Sequence, residues 1–252
     1  MTMMENTLGI KVHAPALVGD DGRPVAVVHA MERALPGLRL EWTVSDDHQL
    51  IHLPQRDVWL AQAKRNGGFP LVCNNDEHYP VMISGLALSA RSGAGGQALL
   101  DVHAKVPLDA GMIAAAAALL EAIAEGARAF WGQATPFEAG VEISRQTRDP
   151  VRKPGVPPRG LPTLKLPESL RSPEIPYHLG WLNYWSAATA RAIGFPDPPR
   201  DSELLSRSRR TAMGGWVVQL TEAPLDLNNP VHLEALKCAY ERFPEIGGRS
   251  TL

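Results

Sequence analysis

The sequence predicts an α+β fold: two similar-sized halves of antiparallel strands packed with helices, joined by a Pro-rich connector. Three observations carry this reading. Stretches that alternate apolar and polar residues recur beside stretches with helical spacing. Glycine- and proline-marked turns separate them at short intervals. Between Asp149 and Pro176 eight prolines accumulate, a density that excludes helix and central strand, because proline lacks the backbone donor and fixes φ. The expected organisation is therefore an N-terminal α+β half over residues 1–146, a basic connector over 147–176 and a C-terminal α+β half over 177–252.

Leu8 to Ala14 alternates and reads as a strand. Pro24 suits the first turn of a helix whose apolar face is Val28, Met31 and Leu35, and Pro36-Gly37 stops it. Leu38 to Val44 and Gln49 to Leu53 read as a strand and its hairpin partner, and Asp57 to Arg65 as a short helix. Tyr79 to Leu88 and Ala98 to Val106 are strands joined across Ser92-Gly93-Ala94-Gly95-Gly96. An alanine-rich helix is expected from about Asp109 to Trp131. In the connector Leu161, Leu164, Leu166 and Leu170 provide apolar side chains for docking, with Leu164 or Leu166 expected on a helical face. Leu179 to Trp185 is strand-like, Ser186 to Ile193 and Asp201 to Arg209 are short helices, and Trp216 to Thr221 is a strand. Pro230 to Phe243 closes the chain as a helix that Asn228 or Asn229 can cap. Pro-Leu-Asp occurs at 107–109 and again at 224–226, each time between a strand and a helix. A duplication and a recurrent junction motif both account for that.

Composition bounds the function. With 44% hydrophobic and 21% charged residues, the 252-residue chain has ordinary globular proportions. Its formal charge of −2 gives no overall field that favours nucleic acid or an anionic membrane. Met1 to Gly9 lacks the basic and apolar regions of a signal peptide. The most apolar stretch, Met112 to Ala124, is short for a bilayer, so the expectation is a cytoplasmic protein. Cys73 and Cys238 are expected to be buried thiols.

Motifs for chemistry are sparse, and no catalytic, metal or cofactor site is expected. The glycine-rich loop lacks a Gly-Lys-Ser/Thr ending. His48 and His52 flank a strand-like Leu-Ile, where positions four apart lie about 13 Å apart on one face, too far for shared ligation. Asp57 with Gln62-Ala63-Lys64 imitates a nuclease carboxylate–Gln-x-Lys pairing, but on a helix. The aromatics of Gly180-Trp181-Leu182-Asn183-Tyr184-Trp185, followed by Trp216, are core candidates that also qualify as interface anchors.

The C-terminal third carries a resemblance. Gly180-Trp181-Leu182-Asn183-Tyr184-Trp185, then Gly214-Gly215-Trp216-Val217-Val218, then Pro224-Leu225-Asp226-Leu227-Asn228-Asn229-Pro230-Val231-His232 is similar to the immunity protein 52 family of bacterial polymorphic toxin systems. Pro36-Gly37-Leu38-Arg39-Leu40-Glu41-Trp42 echoes that family's opening, whereas the connector departs from it. The resemblance implies a non-enzymatic protein that neutralises a cognate secreted toxin, usually one similar to a restriction-endonuclease-fold nuclease, by stoichiometric binding. An inhibitor of that kind needs acidic groups able to mimic phosphates and aromatic anchors. Asp46, Asp47, Asp76 and Glu77, with Trp181 and Trp185, are the candidate partner-binding residues, and Glu222 and Asp226 are further acidic groups. The alternative reading is an enzyme of unrecognised type with its site between the halves.

Overall fold

The computed structural model describes residues 6–62, 68–147 and 159–249. Ten strands form one antiparallel sheet in the order β3-β2-β4-β5-β6-β1-β7-β8-β10-β9. In chain order the strands are β1 Thr7–Pro15, β2 Trp42–Val44, β3 Leu50–His52, β4 Phe69–Cys73, β5 Met82–Leu88, β6 Leu99–Pro107, β7 Trp131–Pro136, β8 Leu182–Trp185, β9 Ser208–Arg210 and β10 Trp216–Gln219. The helices are α1 Arg23–Ala34, α2 Arg56–Gln62, α3 Ala110–Ala127, α4 Phe137–Gln146, α5 Ala187–Ala192, α6 Ser202–Ser206 and α7 Pro230–Arg242. The sheet is continuous from the N-terminal strands to the C-terminal ones, because β7 pairs with β1 on one side and β8 on the other.

Period-two alternation sets the two faces of the central strands. Leu8, Ile10, Val12 and Ala14 of β1, with Leu100, Val102, Ala104 and Val106 of β6, are buried on one face. Met112, Ala116, Leu119, Leu120 and Ile123 of α3 are buried in the same core cluster. Asp109 starts α3 by accepting a hydrogen bond from the Met112 N–H. Gly126 lets α1 approach closely, since a methyl there would lie 3.1 Å from Val27 Cα. Arg23 fixes the entry to α1: its guanidinium donates to the Pro15, Ala16 and Ala127 carbonyls and pairs with Asp21. α3 is eighteen residues long, and by length and composition it is apolar enough to cross a membrane. Here it is the central core helix of the first face.

Several expectations need correction. The long helix stops at Ala127, where Arg128 takes a left-handed φ of 53°. The chain then forms β7 and α4, which no helical or alternating pattern announced. β4 is an additional strand, and Leu38–Glu41 is not strand. There the Leu40 N–H donates to Glu32 Oε1 and Arg56 ties Glu32 to the Leu40 carbonyl. Of the residues expected to be helical, Arg207 is a turn and Ser208 and Arg209 belong to the short edge strand β9. Cys238 is exposed on α7, while Cys73 is buried.

The second face has two parts. Beside β8 and β10 it is sealed by an aromatic cluster, in which Trp185 meets Phe195 and Phe243 edge-on and Phe195 meets Trp216. Beside β6, β1 and β7 it is roofed by residues 159–179, irregular chain with one short 3-10 turn at Pro167–Ser169. The first part of the proline-rich connector, 148–158, lies outside the described residues. The roof is pinned by backbone bonds from Leu164 N–H to the Thr147 carbonyl, from Lys165 N–H to the Gly247 carbonyl, and from Gly247 N–H back to the Pro176 carbonyl. Arg159 anchors its start, donating to Glu142, to the Leu227 carbonyl and to Asn228. Leu164 is the docked leucine and is buried, whereas Leu166 is exposed.

Candidate functional site

The strand register aligns three rows of side chains on the second face. One row runs Leu86, Asp101, His13, Trp131, Trp185 and Trp216 across β5, β6, β1, β7, β8 and β10. The next is Ser84, His103, Lys11, Gln133 and Asn183, and the third is Met82, Lys105, Gly9 and Thr135. The first row passes from an aromatic core to an ionised cluster without leaving the register line. Its turning point is His13, whose ring stacks on Trp131 with centroids 4.0 Å apart.

Asp101 lies between two imidazoles. His103 Nε2 is 2.7 Å from Asp101 Oδ2, and His13 Nε2 is 3.7 Å from Oδ1. Asp101 Oδ1 is buried and has no hydrogen-bond partner among the described residues. Burial opposes charge on Asp101, but the His103 hydrogen bond and the neighbouring His13, His103 and Lys11 outweigh it and hold the carboxyl below its usual range. His13 is lowered, first because it is buried and then because His103 and Lys11 oppose a further positive charge, with Asp101 pulling the other way. At neutral pH the arrangement is thus an ionised carboxylate beside a neutral, stacked imidazole. The rings are engaged with the carboxylate, and among the described residues no three His, Cys, Asp or Glu side chains converge as metal ligands.

Above these rows the roof stands away from the strands and leaves a cleft of about 950 Å³. Its floor is Lys11, His13, Asp101, Trp131 and Gln133, and its upper wall includes Leu166, Leu170, Pro173, Ile175 and Tyr177. A second hollow shares Lys11, Gln133, Ser144 and His178 with it and continues toward Thr135 and α4. Thr135 Oγ1 is the other buried side-chain polar atom without a partner among the described residues, so both such atoms lie on this face.

The residues singled out from the sequence fall elsewhere. Asp46 and Asp47 are exposed in the tight β2–β3 turn, and Asp76 and Glu77 are exposed in the β4–β5 loop. Because Trp42 pairs with Cys73 in antiparallel register, that turn and that loop lie at opposite ends of the strands and do not form one surface. Trp181 and Trp185 are each 1% exposed, so neither is presented to a partner. The Trp181 indole donates to the Thr221 carbonyl, and Trp185 belongs to the aromatic cluster. Asp226 acts locally, accepting from the Asn228 N–H ahead of α7, while Asn229 caps the helix. Glu222 is exposed, away from the cleft lining. Lys64 of the nuclease-like fragment lies outside the described residues. Sequence reasoning missed Lys11, His13, Asp101, His103 and Gln133. The available signal was polar residues in phase on one side of two clearly alternating strands.

Fold and cleft together define an α+β protein built on an extended antiparallel sheet, with an amphipathic cleft on one face. The chain belongs to the family described as Domain of unknown function (DUF5953), whose model matches residues 19–251. No curated protein matches it. Among solved structures it is similar to the Pseudomonas aeruginosa T6SS protein PA0821, at a TM-score of 0.57 and 15% identity, over 94% of this chain and 74% of that one. At that identity the likeness describes the fold.

Proposed function

We propose that this chain is an immunity-type binding protein that neutralises a cognate secreted toxin, nuclease-type by the family resemblance, through stoichiometric inhibition in the cytoplasm and without catalysis of its own. The observation that carries the reading is a coincidence of two likenesses. The C-terminal third resembles immunity protein 52, and the fold as a whole is similar to a protein described as belonging to a T6SS. The contact face that suits the role best is the β2–β3 hairpin. It combines acidic Asp46 and Asp47 with exposed Val44 of β2 and exposed Leu50 and Ile51 of β3, whose outer edge ends the sheet. Acidic groups beside apolar contacts answer a basic nucleic-acid cleft, and an open strand edge adds directed backbone hydrogen bonds.

The test is to look among the neighbouring genes for a secreted-toxin reading frame and to co-express its toxic domain with this chain. Rescue of growth and copurification, with Kd nanomolar or tighter (about −12 kcal/mol), is the expected result. Reversing Asp46 and Asp47 should weaken binding more than reversing Asp76 and Glu77, since the two pairs lie at opposite ends of the strands. No rescue and no complex would overturn the reading. A second reading is an enzyme of unrecognised type, with its site in the roofed cleft between the N-terminal half and the connector. Turnover of a small substrate that is lost in Asp101→Asn would select it.

A further inference from the structure

We infer that the cleft beneath residues 163–178 is a binding site for a small amphipathic anion: an aromatic or aliphatic body with one carboxylate, sulfonate or phosphate. The inference rests on the cleft alone and is independent of the immunity reading. At about 950 Å³ the cavity is of small-molecule size, and its walls are mainly apolar with a few convergent polar groups, the pattern of ligand sites. Charge chooses the sign of the head group. On the floor Lys11 accompanies a single carboxylate, Asp101, whose Oδ2 is held by His103 at 2.7 Å. Lys11 stands on the floor and forms no ion pair with a described residue, and Lys165 adds a second cation from the roof. Glu168, the other acid in the lining, is exposed on the roof like Lys165 and offsets it, so Lys11 is the head group's partner. Trp131, Leu170 and Ile175 are among the apolar lining against which the body packs.

Fluorescence titration of the purified full chain with anilinonaphthalene sulfonate tests this directly. The matched control is phenylnaphthylamine, the same ring system without the charge. Saturable binding of one sulfonate probe per chain is expected, with the uncharged probe about tenfold weaker, as one charge-assisted contact predicts. Lys11→Gln should weaken the sulfonate about tenfold and leave the uncharged probe unchanged, and Leu166→Asp should weaken both. Both side chains are exposed, so circular dichroism and the melting temperature should match wild type and separate a lost site from a lost fold. Equal affinity for the two probes, no saturable binding, or sulfonate binding indifferent to both substitutions would each overturn the inference.

Discussion

The two faces of the same four strands, β5, β6, β1 and β7, are built on opposite principles. The first is filled by α1 and α3 with side chains at or near zero exposure, and among the described residues it holds no buried side-chain polar atom that lacks a partner. The second is roofed by irregular chain that touches it at its margins, and it holds Asp101 Oδ1 and Thr135 Oγ1, the two such atoms among the described residues. Helices can close-pack because their side chains interdigitate along a regular ridge. A proline-rich strap held by a few backbone bonds spans without filling. The difference separates a face that stabilises the protein from one able to accept something else.

Substitution at adjacent positions gives the largest contrast. Ile10→Ala removes a fully packed side chain from the first face and should cost about 2–5 kcal/mol. Lys11→Ala, next along the same strand and on the other face, should change stability by only about 0.5 kcal/mol. Denaturant titration of both variants checks this, and similar losses would remove the distinction between the faces.

The roof should respond to an intermediate degree. Gly247 has φ +70°, and a methyl there would overlap the Leu164 side chain. Gly247→Ala should therefore destabilise by about 1–3 kcal/mol through strain and overpacking where the strap is pinned. Proteolysis should then cut the 159–179 segment faster than wild type. Unchanged stability and protection would mean that the strap is held elsewhere.

The smallest effect is a pH dependence. Burial holds the His13 pKa in the folded chain below its ordinary value of 6.5, so the unfolded chain takes up the proton first as pH falls. Its contribution is complete above that value and is lost as pH drops through it toward the folded pKa. Asp101, also lowered, contributes above about 3.8 and loses that contribution only as pH falls through its still lower folded value. His13→Gln should flatten the stability profile just below pH 6.5 and leave the more acidic limb in place. Melting temperatures across that range decide it, and an unaltered slope would assign the proton uptake to another group.

The sequence made some of this legible and hid the rest for identifiable reasons. α1 and α7 were readable because each carries proline in its first turn and an apolar face at helical spacing, and β1 and β6 because their alternation is regular. β7 was not, since Trp-Gly-Gln-Ala-Thr-Pro contains two residues that disfavour strands and depends on β1 and β8 for its extended form. β9 is three residues long and exists only as an addition to β10. The cleft escaped for a different reason. Local pattern put His13 and Asp101 on polar faces, but only strand pairing makes them neighbours, and pairing between distant segments leaves no trace in either segment alone. Trp181 and Trp185 illustrate the converse: aromatic richness marked them as important, and burial made them core instead of contact residues.

β1, first in the chain, occupies the middle of the sheet between β6 and β7. Both of its neighbours, β6 and β7, are made later in the chain. The β2–β3 hairpin at the rim pairs within a few residues, whereas the centre waits until Trp131–Pro136 has been made. Until then β1 carries an open hydrogen-bonding edge in what will become the best-protected part of the protein. Long-range pairing of this kind is slow, and unpaired edges are where chains find the wrong partner. The part of this protein most resistant to unfolding once built is thus the part most vulnerable while it is being made.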